Sequence, residues 1–202
     1  MPRILILFAH PALEKSRVHK RLIRAVRRLQ NITFHDLYQA YPDMDIDMES
    51  EKKLLLQHDV IVFQHPFYWY SAPAIIKQWQ DLVLEHGWAY GKGGTALSHK
   101  KIFNAITCGG SKEMYQKTGY NRYTVNELLL PFSQTAFLCH MDYLPPFVVH
   151  GTHRINETDI DRHAVQYEEL LTAIQSGSIT ENEWQHVDYL NDLIPFPTII
   201  QS

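Results

Sequence analysis

A chain of 202 residues, 45% of them apolar, has the length of one α/β domain and enough apolar mass for a proper core. A formal net charge of −3 excludes the strongly basic surface typical of nucleic-acid-binding proteins. Two cysteines, Cys108 and Cys139, stand far apart and outside any CxxC pair, which argues against a disulfide scaffold or zinc ribbon and fits a reducing compartment.

Residues 3–9 (Arg-Ile-Leu-Ile-Leu-Phe-Ala) form a continuous apolar run, as expected of a strand buried on both faces. That run is too short for a signal-peptide core, and no segment is long and apolar enough to span a bilayer. A cytoplasmic protein is expected, meeting a membrane only through a partner. Ser16 can cap a helix running to about Gln30, with Val18, Leu22, Ile23, Val26 and Leu29 on one face. Residues 31–37 alternate and predict a second, more exposed strand. Residues 38–48 predict an Asp-rich loop, 49–58 a short helix, 59–64 a third buried strand and 65–73 a loop. A helix is predicted over 74–85, with Ile75, Ile76, Trp79, Leu82 and Val83 apolar. A glycine-rich loop over 87–98 leads to a fourth strand over 101–108, stopped by Gly109, Gly110 and Ser111. Residues 123–137 predict a helix interrupted near Pro131, 139–149 a fifth strand broken by Pro145 and Pro146, and 159–176 the last helix. Strand alternating with helix about five times predicts a parallel sheet with helices on both faces. Ligands of such sheets bind at the carboxyl ends of the strands, near the point where strand order reverses.

Three loops therefore carry the chemistry. The first, from His10 into Ser16, leads to a helix start whose free amides and dipole favour an anion, by roughly 0.3–1 kcal/mol from the dipole alone. The Ser16 hydroxyl, the amides after it and the His10 imidazole could hold a phosphate; an ordinary helix cap reads equally well from this loop alone. The second, His65-Pro66-Phe67-Tyr68-Trp69-Tyr70, sets aromatics at a strand's carboxyl end, where planar side chains suit a flat conjugated ligand. Phe67 reads better as core; Trp69 and Tyr70 read as site. The third, Thr107-Cys108-Gly109-Gly110-Ser111, lets backbone approach a ligand where Cβ atoms are missing, though taken alone it reads better as a tight strand-exit turn.

Taken together, these strings resemble the NAD(P)H:quinone oxidoreductase family, and within it the bacterial flavoproteins ancillary to glutathione-regulated potassium efflux. The resemblance runs over roughly residues 3–175. It rests on Ala9-His10-Pro11 with Ser16, Leu37-Tyr38, Tyr41-Pro42-Asp43, Ile46-Asp47, Gln64-His65-Pro66-Phe67-Tyr68-Trp69-Tyr70-Ser71, His86-Gly87-Trp88-Ala89-Tyr90-Gly91 with Gly93-Gly94, Thr107 to Ser111, and Leu144-Pro145-Pro146. It implies a flavodoxin-like fold, a five-stranded parallel sheet in the order 2-1-3-4-5, over residues 1–176. The C-terminal extension 177–202, with Trp184, Tyr189, Leu190, Leu193 and Ile194 as its apolar stripe, is expected to pack on its own domain or on a dimer mate.

The resemblance also implies a homodimer, a bound flavin (FMN in this branch, FAD the alternative) and NAD(P)H as electron donor to a quinone or similar aromatic acceptor. By position, His10 and the run Ser16, Arg17, Val18 and His19 would hold the phosphate end. Pro66, Phe67, Tyr68, Trp69 and Tyr70 would follow the ring system, and Cys108, Gly109, Gly110 and Ser111 its pyrimidine edge. Tyr115, with Tyr120, would hydrogen-bond the acceptor or the flavin edge. Asn121 stands where larger relatives carry a His, and His19 where many carry Asn. The rival readings are a regulatory subunit of a potassium efflux antiporter, a one-electron carrier, and azo or nitro reduction on the same scaffold. The 12 histidines show no ligand spacing, so no metal site is expected. The basic face Arg17, Lys20, Arg21, Arg24, Arg27 and Arg28 reads as solvated, with an acidic partner surface the alternative.

Overall fold

The computed structural model describes residues 1–197. Its centre is strand β1 (Ile4–Phe8), in which every side chain is buried, as the apolar run requires. Strands β2 (Ile32–Asp36), β3 (Val60–Pro66) and β4 (Lys101–Thr107) join it in the order β2-β1-β3-β4, all parallel. Next to β4 the sheet ends in two short strands, β5 (Asp142–Tyr143) and β6 (Phe147–Val149), both pairing with β4. Pro145 and Pro146 cannot donate to the ladder, so the fifth position of the order 2-1-3-4-5 is split into two pieces and the strand count rises to six.

The strands bury alternate side chains on opposite faces. Ile4, Ile6, Phe8, Val60 and Val62 pack under α1 (Arg17–Val26) and α7 (Glu157–Ser176). Leu5, Leu7, Ile61, Phe63 and Ile106 pack under α3 (Met48–Leu56), α4 (Ala74–Val83) and α6 (Leu130–Leu138). A short helix, α2 (Leu37–Ala40), occupies the start of the expected Asp-rich loop, because the Asp36 carboxylate caps the Tyr38 and Gln39 amides. The helix expected over 123–137 is two pieces, α5 (Val125–Leu128) and α6, with Pro131 in the first turn of the second, where its missing N–H costs nothing. Two residues assigned to a loop, His65 and Pro66, belong to β3.

After Gly177, which ends α7 in the left-handed region (φ +71), the chain lies back on the domain. Helix α8 (Glu181–Trp184) and a 3-10 turn, Leu190–Leu193, place Trp184 and Leu190 in the core under α1 and α7. Gln166 of α7 donates to the carbonyls of Asn191 and Ile194 at 3.0 and 2.9 Å. Residues 198–202 of the expected extension lie outside the described residues. Among the described residues no helix is long and apolar enough to cross a membrane.

Candidate functional site

The carboxyl ends of β1, β3, β4 and β6 open on one cleft of about 970 Å³. The strand order reverses between β1 and β3, so this cleft sits where open α/β sheets bind their ligands. Four loops wall it: His10, Ala12, Lys15, Ser16, Arg17 and Val18 after β1; Pro66, Phe67 and Tyr68 after β3; Thr107, Gly109, Gly110, Ser111, Met114 and Tyr115 after β4; and residues 151–154 after β6.

One end of the cleft is built for an anion. The Ser16 Oγ accepts the His19 amide at 3.1 Å, which caps α1 and leaves the amides of Arg17 and Val18 without intrahelical partners at the cleft wall. His10 Nδ1 accepts the Ala12 amide at 3.1 Å, so the neutral ring carries its proton on Nε2 and can donate from there. Burial lowers the His10 pKa, against the pull of Glu14 and Asp36. Lys15 and Arg154 add positive charge to the same wall. Arg17 and Arg21 are ion-paired with Glu157 at 2.6 and 3.3 Å, and Arg21 also with Asp161. Part of the basic face of α1 is thus matched by α7 of the same chain.

Two buried polar chains lie beneath the cleft floor, one on each face of β3. On the α1 side, Tyr167 Oη donates to Gln64 Oε1 at 3.2 Å and the Gln64 amide donates to His19 Nδ1 at 3.4 Å. His19 Nε2 then donates to Thr107 Oγ1 at 3.1 Å. On the other side, Tyr143 Oη donates to Asn104 Oδ1 at 2.7 Å, the Asn104 amide donates to His65 Nε2 at 3.0 Å, and His65 Nδ1 donates to the Pro66 carbonyl at 3.0 Å. Burial holds the His19 pKa well below the ordinary imidazole value, with His10 and His65 adding to it. Burial likewise lowers His65 to about 4. Both rings are therefore neutral and serve as fixed relays of hydrogen bonds. Gln64 and His65 alternate faces because they are consecutive strand residues.

Beside the floor, Tyr68 to Ser71 forms a tight turn closed by the Ser71 amide on the Tyr68 carbonyl at 3.0 Å. Its two central residues, Trp69 (φ 48) and Tyr70 (φ 62), are both left-handed, a conformation costing bulky residues roughly 1–2 kcal/mol each. Strain of this kind collects at functional sites. Trp69 is 94% exposed.

Across the cleft, neighbouring side chains crowd the glycine pair. A Cβ on Gly109 would stand 2.5 Å from the His153 ring, and one on Gly110 3.1 Å from Met114 Sδ and 3.2 Å from the Tyr115 ring. Tyr115 is buried apart from its cleft-facing edge, and burial, with Cys108 beside it, raises its pKa so that the phenol stays protonated. Burial pushes the Cys108 thiol up to about 12, which rules out a reactive thiolate at neutral pH.

The structure thus brings together His10, Ser16, Arg17, Val18, Pro66, Phe67, Tyr68, Gly109, Gly110, Ser111 and Tyr115 on one cleft. It does not bring the His19 ring there. That ring is fully buried under the floor, and its amide is already taken by Ser16, which removes it from any phosphate grip. The Cys108 side chain is fully buried as well. Trp69, Tyr70, Tyr120 and Asn121 stand outside the cleft wall. Tyr120 is 84% exposed, and Asn121 Oδ1 accepts the Tyr70 hydroxyl at 3.2 Å, so neither supplies a proton within the cleft. Sequence reading missed Lys15, Thr107, His153 and Arg154. Lys15 and Thr107 lay in flagged loops but were not singled out; the loop after β6, which carries His153 and Arg154, follows a strand interrupted by prolines and was not flagged as part of the site.

A doubly wound parallel sheet with a Ser-capped helix start and an aromatic loop at a switch-point cleft defines a flavodoxin-like domain. Residues 2–171 match the family described as flavodoxin-like fold. A glutathione-regulated potassium-efflux system ancillary protein of Serratia proteamaculans is 44% identical over 170 residues, 84% of this chain and 93% of the relative. The crystal structure of general stress protein 14 from Treponema denticola, in complex with FMN, superposes with a TM-score of 0.82 at 42% identity, covering 86% of this chain and all (100%) of that one. An NADPH-quinone reductase from P. pentosaceus superposes with a TM-score of 0.76 at 34% identity, over 83% of this chain and 96% of that one. The chain belongs to the flavodoxin-like NAD(P)H oxidoreductase family.

Proposed function

We propose that this chain is an FMN-dependent NAD(P)H oxidoreductase that passes two electrons by hydride transfer to a quinone-like acceptor. The observation that carries the reading is the meeting, in one cleft, of the free α1 amides with the glycine pair and the Pro66–Tyr68 wall. The residues present fit the flavin: a glycine pair on the cleft wall whose backbone a flat ligand can approach closely, and an anion end with donors and no carboxylate lining it. A bound complex of a 42% identical structure with FMN supports FMN over FAD.

When bound, FMN supplies the redox chemistry, taking a hydride from NAD(P)H and returning two electrons to the acceptor. The protein binds and orients. The amides of Arg17 and Val18, the Ser16 hydroxyl and His10 Nε2 hold the phosphate end, with Lys15 and Arg154 neutralising its charge. The Pro66–Tyr68 wall and the Gly109–Ser111 edge enclose the flat ring system and keep water out. The Tyr115 phenol, kept protonated by burial, donates a hydrogen bond to the acceptor or the flavin edge and does not act as a base. Asn121 has no titratable proton and is tied to Tyr70, so proton relay at that position is absent.

A homodimer is part of this proposal. Trp69, Tyr120, Tyr123, Leu130 and Phe137 leave large apolar side chains exposed, and Tyr70 bonded to Asn121 brings the first two segments together beside the cleft. A second reading, a regulatory subunit of a potassium efflux antiporter with secondary catalysis, is supported by the name of the 44% identical ancillary protein. The test is direct. Purified protein is expected to show flavin absorbance, to release FMN on heating, and to oxidise NADH or NADPH with menadione. Protein that takes up no flavin at saturating FMN would end the site assignment. Flavin binding without turnover, together with co-purification of a transporter, favours the regulatory reading.

A further inference from the structure

The segment after α7 lies beyond the family-matched residues, yet it reaches back to the cleft from behind. Tyr189, 5% exposed, belongs to the same core cluster as Tyr115 and Cys108. Between the two phenols stands His150, immediately after β6. Its ring centroid is 5.8 Å from that of Tyr115 and 5.7 Å from that of Tyr189. Tyr115 packs in turn on Phe67 at 6.0 Å. These are the spacings of favourable aromatic pairs.

A buried polar group without a partner calls for an explanation. Both ring nitrogens of His150 are shielded from solvent and make no well-formed hydrogen bond among the described residues; the Gly110 carbonyl is close enough to favour its protonated form. Burial, with Lys112 nearby, holds its pKa at about 4, so the ring is neutral at pH 7. The neutral imidazole is wedged between the two phenols, packing on both rings.

The same segment grips both loops that frame Tyr115. Lys112, in the turn before Tyr115, sets its ammonium over the Tyr189 ring at 4.9 Å. The Asn191 side chain clamps Val148 of β6, accepting its amide at 2.8 Å and donating to its carbonyl at 3.2 Å. The Leu190 amide donates to the Pro146 carbonyl at 3.0 Å, and Asn126 donates to the Asp188 carbonyl at 3.1 Å.

We propose that Tyr189, acting through His150, is a positioning residue by which the C-terminal segment holds the Tyr115 phenol in place at the cleft. Only the consequence for turnover rests on the flavin reading; the packing claim does not.

The test uses full-length, FMN-loaded protein labelled with fluorotyrosine, the Tyr115 resonance being identified by its loss in Tyr115→Phe. Tyr189→Leu keeps apolar volume and removes the ring. It is expected to shift the Tyr115 resonance and to lower kcat about tenfold. KM for NAD(P)H and the affinity for FMN should hold within about twofold, the split expected when geometry rather than binding is lost. In a Tyr115→Phe background the same change should cost almost nothing further, because the two act as one unit. Tyr189→Phe, which keeps the ring, should behave as wild type. His150→Leu provides a second route to the same shift should Tyr189→Leu fail to fold. A Tyr115 resonance unmoved in folded Tyr189→Leu or His150→Leu protein, or rate losses that multiply in the double variant, would overturn the proposal. A shifted resonance with turnover unchanged in Tyr115→Phe upholds the buttress and instead removes Tyr115 from the proposed reaction.

Discussion

His19 Nε2 lies 3.1 Å from the hydroxyl of Thr107, and this bond joins the start of α1 to the end of β4 through a fully buried ring. Because Gln64 donates to the other nitrogen, His19 must donate to Thr107, whose own proton is then free to point into the cleft. His19→Leu would strand the Gln64 amide and release Thr107. Stability should drop by about 1–3 kcal/mol, the cost of a buried donor left unpaired. FMN affinity should fall with it, since α1 carries the anion site. Urea unfolding of the flavin-free protein and a separate FMN titration distinguish the two effects.

Acid should weaken the fold through its buried imidazoles. The folded-state pKa of His65 is about 4, below the unfolded value of 6.5, and those of His10 and His19 are lowered as well. Between those values the unfolded chain binds protons that the folded chain refuses. For His65, stability present above pH 6.5 is therefore lost as pH falls toward 4, at up to about 1.4 kcal/mol per pH unit, and the lowered values of His10 and His19 act in the same direction. Urea midpoints measured from pH 7.5 to 4.5 should decline over that range; a flat profile contradicts the neutral-ring assignment.

Glu51, only 1% exposed, collects three donors: His35 Nε2 at 2.7 Å, the Tyr41 hydroxyl at 2.5 Å and Trp79 Nε1 at 2.8 Å. Burial raises its pKa, but the three hydrogen bonds outweigh this and the net value lies below the ordinary one. The carboxylate ties β2, the loop before α3 and α4 into one unit. Glu51→Ala would leave its donors buried without an acceptor, and a loss of about 2–4 kcal/mol is expected by calorimetry. Glu51→Gln, which keeps an acceptor oxygen, should cost less.

The Trp69–Tyr70 turn offers a test in which stability and function move apart. Trp69→Gly removes a left-handed residue whose ring touches solvent, so unfolding free energy should hold or rise by up to about 1 kcal/mol. Turnover with menadione, and the dimer proportion by sedimentation, should nevertheless fall. A variant that is both less stable and fully active would show the ring to be structural.

Ser16→Ala removes the cap and one phosphate donor together. The cap is worth about 1 kcal/mol of stability, and the missing hydroxyl should weaken FMN roughly tenfold. Ser16→Asp keeps the cap but sets a negative charge against the phosphate. It should restore stability while binding FMN worse than Ser16→Ala, as isothermal titration would reveal.

Much of the fold can be read along the chain. The Ile4–Phe8 run announces a central strand because both of its faces are covered, and Ser16 announces α1 because a hydroxyl before an apolar period is a cap. The broken fifth strand follows from two prolines without N–H groups. Glu51 was invisible by contrast: it sits in a weakly amphipathic helix, and its partners come from positions 35, 41 and 79. His65 looked like a loop residue because polar side chains at a strand's end resemble a strand's exit.

The sequence by itself determined the layer architecture and the three loops at the sheet's carboxyl edge, since period, capping and turn chemistry are local properties. Only the tertiary structure decided which atoms of those loops face the cleft. It turned the His19 ring inward and left the Arg17 and Val18 amides outward, stood Trp69 in solvent, and drew the loop after β6 and Tyr189 toward Tyr115. The physical reason is that a buried polar group must find its partner across the sheet, and nothing in a residue's own neighbourhood along the chain names a partner such as the one 88 positions from His19.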